Sequence, residues 1–301
     1  MKFAAIDIGS NAVRLLLARV FETDNEPVFK KESLVRIPLR LGEDAFTDRR
    51  ISDEKADSLI QTMIAFRHLI TAYGALDYIA CATSAMREAI NAPGIVAAIE
   101  KQSGIQLEVV DGKKEADIIY SNHFEEKLSR QKSYLYIDVG GGSTELTLFS
   151  KGKNIASKSF DIGTVRLLKN VVPKRTWREM KQWTRNNLKG LKKVKAIGSG
   201  GNINKIFRLS RQKEGKPLLL KNLKDISEFL SSYSLQERIK TLGLRPDRAD
   251  VIIPASQIYI SVMEWGKIKR IYVPQIGLAD GLVHLMYERY KNARKTQAKV
   301  G

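Results

Sequence analysis

"AIDIGSNAVRLLLA", residues 5–18, and "YIDVGGGSTELTLF", residues 136–149, are two versions of one pattern set 131 positions apart. Ungapped, Ile6, Asp7 and Gly9 fall on Ile137, Asp138 and Gly140, and Leu15 and Leu17 fall on Leu146 and Leu148. Each version is a short apolar run, an acid, a glycine turn with small polar residues, then alternating apolar residues. That order reads as strand, tight turn, strand. Two such hairpins in 301 residues point to a duplicated unit, and the chain is long enough for two separate cores.

Working outward, both halves alternate strands with helices. A third strand is expected over 27–37. A helix follows over "SDEKADSLIQTMIAFRHLITAYG", with Ser52 as its N-cap, Asp53 and Glu54 in the first turn and Gly74 as its stop. "DYIACA" and "LEVV" read as strands flanking a helix that has Pro93 near its start and Gly104 at its end. In the second half, strands are expected at 134–139, 144–150 and 154–160, and helices near 163–171 and 175–189. Beyond them "VKAIGSGGN" is a strand running into a glycine turn. Helices at 222–232 and 246–265, a strand "RIYVP" and a last amphipathic helix "LADGLVHLMYERYKNARK" complete the chain. Alternation in both halves gives an α/β class with two domains, and the polar stretch "SNHFEEKLSRQK" is the expected boundary.

The net charge of +18 is unevenly placed. Residues 1–124 hold 15 Lys+Arg against 18 Asp+Glu, whereas residues 125–301 hold 36 against 15. The densest stretch, "KRTWREMKQWTRNNLKGLKKVK" (174–195), carries nine basic residues and one acid. Such a field attracts polyanions: nucleic acid, anionic lipid or polyphosphate. No apolar run approaches the roughly 20 residues of a membrane span, so no membrane role is expected. "MKFAAIDIGS" is too short and too quickly acidic for a secretory signal. One cysteine, Cys81, forms no internal disulfide, and a cytoplasmic protein is expected. His68, His123 and His284 show no metal-ligand spacing, and no Walker-type lysine loop is present.

The glycine turns carry the chemistry. Without a Cβ, Gly9 in one loop and Gly140, Gly141 and Gly142 in the other let backbone N–H groups approach phosphate oxygens. Ser10 and Asn11, and in the second loop Ser143 and Thr144, add side-chain donors. The acids Asp7 and Asp138 would repel phosphate unless a divalent cation or water lies between, which points to metal-assisted phosphate chemistry.

Six stretches in order, "FAAIDIGSNAVRLLLARV", "ATSAMREAIN", "VVDGKKEADIIY", "YIDVGGGSTELTLF", "DIGTVRL" and "AIGSGGNINKI", resemble the exopolyphosphatase/guanosine pentaphosphate phosphohydrolase (Ppx/GppA) family in its short two-domain form. The resemblance covers essentially the whole chain. It implies two duplicated actin-like (ribonuclease H-like) domains with an interdomain cleft. The first would span 1–124 and be joined by the C-terminal helix 285–298; the second would span 125–284. The two loops would then grip one phosphate chain from opposite sides.

Carried over residue by residue, the resemblance makes Glu115 the general base, matching the last acid of a family stretch of the form S-G-x-E-E-A, and Arg87 a phosphate-facing guanidinium. Asp138 and Glu145 match acids associated with the divalent ion, and Gly198–Asn202, including Gly200 and Gly201, match a third phosphate-binding turn. Lys114 stands where the family often has an acid, with Lys113 beside it; cationic neighbours lower a carboxylate's pKa and weaken it as a base. The expected activity is Mg2+-dependent (or another divalent cation) hydrolysis of terminal phosphate from inorganic polyphosphate. The alternatives are hydrolysis of guanosine pentaphosphate, with guanosine tetraphosphate as a related ligand, and a non-catalytic alarmone or polyphosphate sensor. Nucleic acid is a weaker partner on these motifs, since only the basic half favours it, and a homodimer is implied by the resemblance.

Overall fold

The computed structural model describes residues 1–23, 26–120, 132–151, 153–191 and 193–297. The chain divides into two compact units, one made of Met1–Asn122 and Gly277–Gly301 and the other of His123–Ile276. The 124/125 boundary expected from the sequence lies outside the described residues, as do His123 and Lys192.

In the first unit β1 (Lys2–Ile8), β2 (Val13–Phe21) and β3 (Val28–Ile37) form an antiparallel meander. A single turn α1 (Gly42–Ala45) leads to the long helix α2 (Asp53–Tyr73). Then come β4 (Asp77–Ala82), the short α3 (Ser84–Glu88), α4 (Ala92–Ser103), β5 (Leu107–Val109) and α5 (Gly112–Tyr120). The sheet order is β3-β2-β1-β4-β5, with β4 and β5 parallel to β1. Apolar residues of α2 at helical spacing, Ala56, Leu59, Ile60, Met63, Phe66 and Ile70, are buried, and Gly74 ends the helix in the left-handed region. Ser52 occupies the N-cap position but does not cap. Its hydroxyl and amide both donate to the Asp44 carboxylate, at 2.7 and 3.1 Å, which also holds the Lys55 ammonium at 2.7 Å.

The second unit repeats the scheme. It opens with β6 (Ser133–Val139), β7 (Thr144–Ser150) and β8 (Lys153–Phe160), followed by α6 (Thr164–Leu168) and α7 (Lys174–Leu188). Next are β9 (Lys195–Ser199), α8 (Gly201–Leu209), β10 (Leu218–Leu219), α9 (Leu220–Ser231) and α10 (Leu235–Lys240). The unit closes with α11 (Pro246–Ala249), α12 (Ile252–Trp265) and β11 (Arg270–Tyr272). Its sheet order, β10-β11-β9-β6-β7-β8, is the first sheet's order plus the edge strand β10. Even the irregularity is copied: the register slips between Leu17 and Ala18 in β2 and, 131 positions on, between Leu148 and Phe149 in β7. These sheets are the two duplicated α/β halves that the motifs imply.

Three expectations change in detail. The helix expected over 246–265 is two helices, because a continuous one would put Pro254 in its interior. Restarting at Ile252 places Pro254 in the first turn, where a missing N–H costs nothing. The helix expected to 171 stops at Leu168, with Asn170 left-handed (φ 55°). Finally, the chain returns to the first unit at Gly277 rather than at 285.

The cause of that early return is apolar. The closing helix α13 (Leu278–Gln297) buries Leu278, Ala279, Leu282, Val283, Met286 and Tyr287 against Phe3, Ala5, Leu16, Ala18 and Val20 of β1 and β2. Each such side chain contributes about 1.5–3 kcal/mol, so cutting the helix at 285 would forfeit most of this face. Gly281 brings α13 onto α5 at backbone contact, since a Cβ there would lie 2.0 Å from the Ile118 carbonyl oxygen. His284 packs with them, its ring stacked on Phe29 at 3.6 Å.

Candidate phosphate site

The loops between β1 and β2 and between β6 and β7 are built alike. In the first, the Gly9 amide donates to the Ala12 carbonyl at 3.1 Å; in the second, the Gly140 amide donates to the Ser143 carbonyl at 2.9 Å. The segment after the third strand then takes up the loop's other carbonyls. Gly42 N–H donates to the Ser10 carbonyl at 2.8 Å and Arg40 N–H to the Asn11 carbonyl at 3.2 Å. In the second unit Thr164 N–H donates to Gly140 at 3.1 Å, Val165 N–H to Gly141 at 2.8 Å and Arg166 Nε to Gly142 at 2.7 Å. A planar trans peptide points its N–H opposite to its C=O. Carbonyls drawn back onto the bracing segment therefore turn the amides of Asn11 and Ala12, and of Gly141, Gly142 and Ser143, the other way, as an anion cradle requires.

Two of the expected side-chain donors make hydrogen bonds within the first and second units. Thr144 is fully buried and its hydroxyl donates to the Ile162 carbonyl at 2.5 Å. The Ser10 hydroxyl shares a 2.9 Å hydrogen bond with that of Ser84, at the start of α3. Ser143 is also buried, at the loop's end.

The acids differ sharply between copies. Asp7 lies opposite Arg14 across the β1–β2 ladder and forms a 2.6 Å ion pair with it. The equivalent positions of the second unit are Asp138 and Glu145, opposite each other across β6–β7, with carboxylate oxygens within 4.8 Å. Like charges facing across a ladder are destabilising. Ser159 donates to Glu145 at 2.8 Å, which offsets part of that cost. The pair fits a hard divalent cation, which is commonly held by one or two carboxylates plus water. Asp7, by contrast, is matched by a guanidinium.

Behind Asp138 lies the third glycine turn, with Gly200 at the N-cap position and Gly201 opening α8. The Tyr259 hydroxyl, on the core helix α12, donates to the Ser199 carbonyl. Burial, reinforced by the Asp138 charge, holds the Tyr259 phenol well above its ordinary pKa, so it stays a donor. Tyr259 was not singled out from sequence, and "DIGTVRL", which holds Gly163–Arg166, counted only toward the resemblance, with no role given to its residues.

Glu115 stands in the first turn of α5 in the first unit. Its amide donates to the Asp111 carbonyl at 2.9 Å, while the Asp111 carboxylate accepts from Lys114 N–H at 2.7 Å, capping the helix start. Arg87, in the last turn of α3, donates to the Val110 carbonyl at 2.9 Å. It thus ties itself to the segment that launches α5. The Lys114 ammonium pairs with Glu108 on β5, so part of its charge is spent away from Glu115. Cys81, beneath this region on β4, is buried and its thiol is pushed up to about 12, which leaves it unreactive.

On α7 the basic residues Lys174, Arg178, Lys181 and Arg185 recur at spacings of four, three and four, while Met180, Thr184 and Leu188 are buried. A cationic stripe therefore runs along one flank of the helix. No described helix is long and apolar enough to cross a membrane.

Comparison with known proteins agrees with this architecture. A protein of Fusobacterium nucleatum named bifunctional 3-dehydroquinate synthase/phosphatase is 30% identical over 290 residues, which is 87% of this chain but 43% of that protein. Exopolyphosphatase 1 of Mycobacterium tuberculosis is 24% identical over 311 residues, covering 94% of this chain and 87% of the other. The crystal structure of an exopolyphosphatase from Cytophaga hutchinsonii superposes with a TM-score of 0.82 at 22% identity, covering 96% of this chain and 98% of that one, a likeness of fold. The sequence model of the Ppx/GppA phosphatase family matches residues 20–290. On that match and on the duplicated sheets, the chain belongs to the Ppx/GppA phosphatase family.

Proposed function

We propose that this protein hydrolyses the terminal phosphoanhydride bond of inorganic polyphosphate. The observation that carries the reading is the pair of equivalently braced loops, one in each unit, whose held carbonyls set the following N–H groups away from the bracing segment. Phosphoryl transfer relies mainly on positioning and charge neutralisation, and the loop amides supply both for non-bridging phosphate oxygens. Glu115 accepts a proton from the attacking water and directs it in line at phosphorus. Arg87 presents a guanidinium to the phosphate chain. Asp138 and Glu145 are the residues that would hold Mg2+, whose charge would neutralise phosphate oxygens when bound. The cationic flank of α7 attracts the rest of the chain, so binding weakens as salt rises. A homodimer, as the sequence resemblance implies, is part of this reading.

Release of inorganic phosphate from polyphosphate of several lengths tests the proposal, with guanosine pentaphosphate measured alongside as the alternative substrate of the same chemistry. Glu115→Gln is expected to lower turnover by about 10²–10⁴-fold, the usual contribution of a general base. Undiminished release would remove Glu115 from the role. Tight binding of polyphosphate without release by the unaltered protein would favour the sensor.

A further inference from the structure

Three consecutive carbonyls of the second loop, those of Gly140, Gly141 and Gly142, are all drawn onto the start of α6. The first two are held by main-chain amides. The third is held by a side chain, the Nε–H of Arg166, which is 8% exposed. Gly163 makes the approach possible: a Cβ there would lie 2.3 Å from the Gly141 carbonyl oxygen. The first loop achieves the equivalent hold with the backbone N–H of Arg40. Arg166 is thus the one loop brace of this set that a side-chain substitution can remove while leaving the backbone donors in place.

We infer that Arg166 is a positioning residue for phosphate: by fixing the Gly142 carbonyl, it aims the Ser143 amide away from the brace. Planarity carries the link, because the Gly142 C=O and the Ser143 N–H belong to one peptide unit. A charge-assisted bond holds that plane more firmly than a neutral one. The guanidinium also places positive charge behind the cradle. Its contact with Asp161 is long, 3.9 Å, and that carboxylate is exposed. The inference rests on the loop being a phosphate site, as proposed above, but not on Glu115 or on turnover.

The test is titration of the protein with inorganic pyrophosphate, followed by amide 15N–1H shifts of Gly141, Gly142 and Ser143 and in parallel by phosphate-release kinetics. In the unaltered protein all three amides should move with one Kd. Arg166→Met should weaken that Kd roughly ten- to a hundredfold, the scale of one lost hydrogen bond from a charged donor. The Ser143 shift should shrink most, and KM should rise more than kcat falls. Arg166→Lys, which restores a charged donor, should recover part of the loss, a rescue that a merely structural role would not show. Should Arg166→Met fail to fold, Arg166→Lys alone decides, with an intermediate Kd expected. Unchanged pyrophosphate Kd and KM in a folded variant would overturn the inference, as would loop amides in the unaltered protein that ignore pyrophosphate. Amides that respond in a protein that releases no phosphate would sink the hydrolase reading while leaving Arg166 in its role.

Discussion

Replacing Glu145 by glutamine removes one of two negative charges that the β6–β7 register sets opposite each other. The structure places oxygens of Asp138 and Glu145 within 4.8 Å, with Glu145 only 3% exposed. With both groups ionised, Coulomb's law at that separation gives a repulsion of about 1 kcal/mol in a water-like dielectric and about 3.5 kcal/mol at the effective value near 20 found around partly buried sites. The amide oxygen still accepts the Ser159 hydrogen bond. In EDTA, then, Glu145→Gln should melt higher than the unaltered protein, by about 2–10 °C for a domain of this size. Magnesium should reverse the order. A cation bound to the native site stabilises in proportion to the logarithm of its concentration over Kd, and the variant has lost a ligand. Thermal melts across a magnesium series, each with an EDTA control, make the measurement. A Glu145→Gln protein that melts lower in EDTA and gains as much from magnesium as the unaltered one would refute the account of this pair as a repulsive site awaiting a cation.

Gly281→Ala should destabilise the protein by about 1–3 kcal/mol through overpacking against the Ile118 carbonyl, and should lower turnover by displacing α5 and Glu115; urea melts and phosphate release measure the two, and a variant with unaltered melts refutes the contact. The start of α2 should confer acid sensitivity. At Asp44 partial burial favours the neutral acid, but the Lys55 and Ser52 hydrogen bonds outweigh it and hold the carboxyl below its ordinary value. A depressed pKa means stability that is present above the unfolded value, about 4, and lost as pH falls through the folded one. Lys55→Met should therefore flatten the melting-temperature profile below about pH 4, and an identical profile in both proteins would exclude the cluster.

The duplication was legible because it was written twice in the same register. Strand positions, the two glycine loops and the placement of Glu115 at a helix start all followed from local pattern and resemblance. The bracing role was not legible: "GTVRL" belongs to a stretch that carries the resemblance, but it shares no visible pattern with "RLGED". They do equivalent work through main-chain donors, which leave little mark on residue identity, and Arg166 substitutes a side chain for one of them. Ser10 and Thr144 were read as donors to a ligand because hydroxyls in a turn look alike from sequence; their contacts with Ser84 and the Ile162 carbonyl were not visible there. The contrast between the acids could have been found. Arg14 falls on Glu145 in the ungapped repeat, and a cross-strand partner of opposite sign to Asp7 argues for a salt bridge in one copy and an ion in the other. Pro254 likewise announced the break before α12, since a proline inside a helix is tolerated only near its start.

The return of α13 to the first unit has a consequence during synthesis. The meander that begins that unit emerges from the ribosome early, yet the helix that covers Phe3, Leu16, Ala18 and Val20 is made only after the 154 residues of His123–Ile276. At translation rates of about 5–20 residues per second, that apolar sheet face stays bare for about 8–30 s. The second unit, contiguous in the chain, has its whole core available first. The half of the molecule that is translated first is therefore completed last, and its apolar flank is the surface left uncovered longest during synthesis.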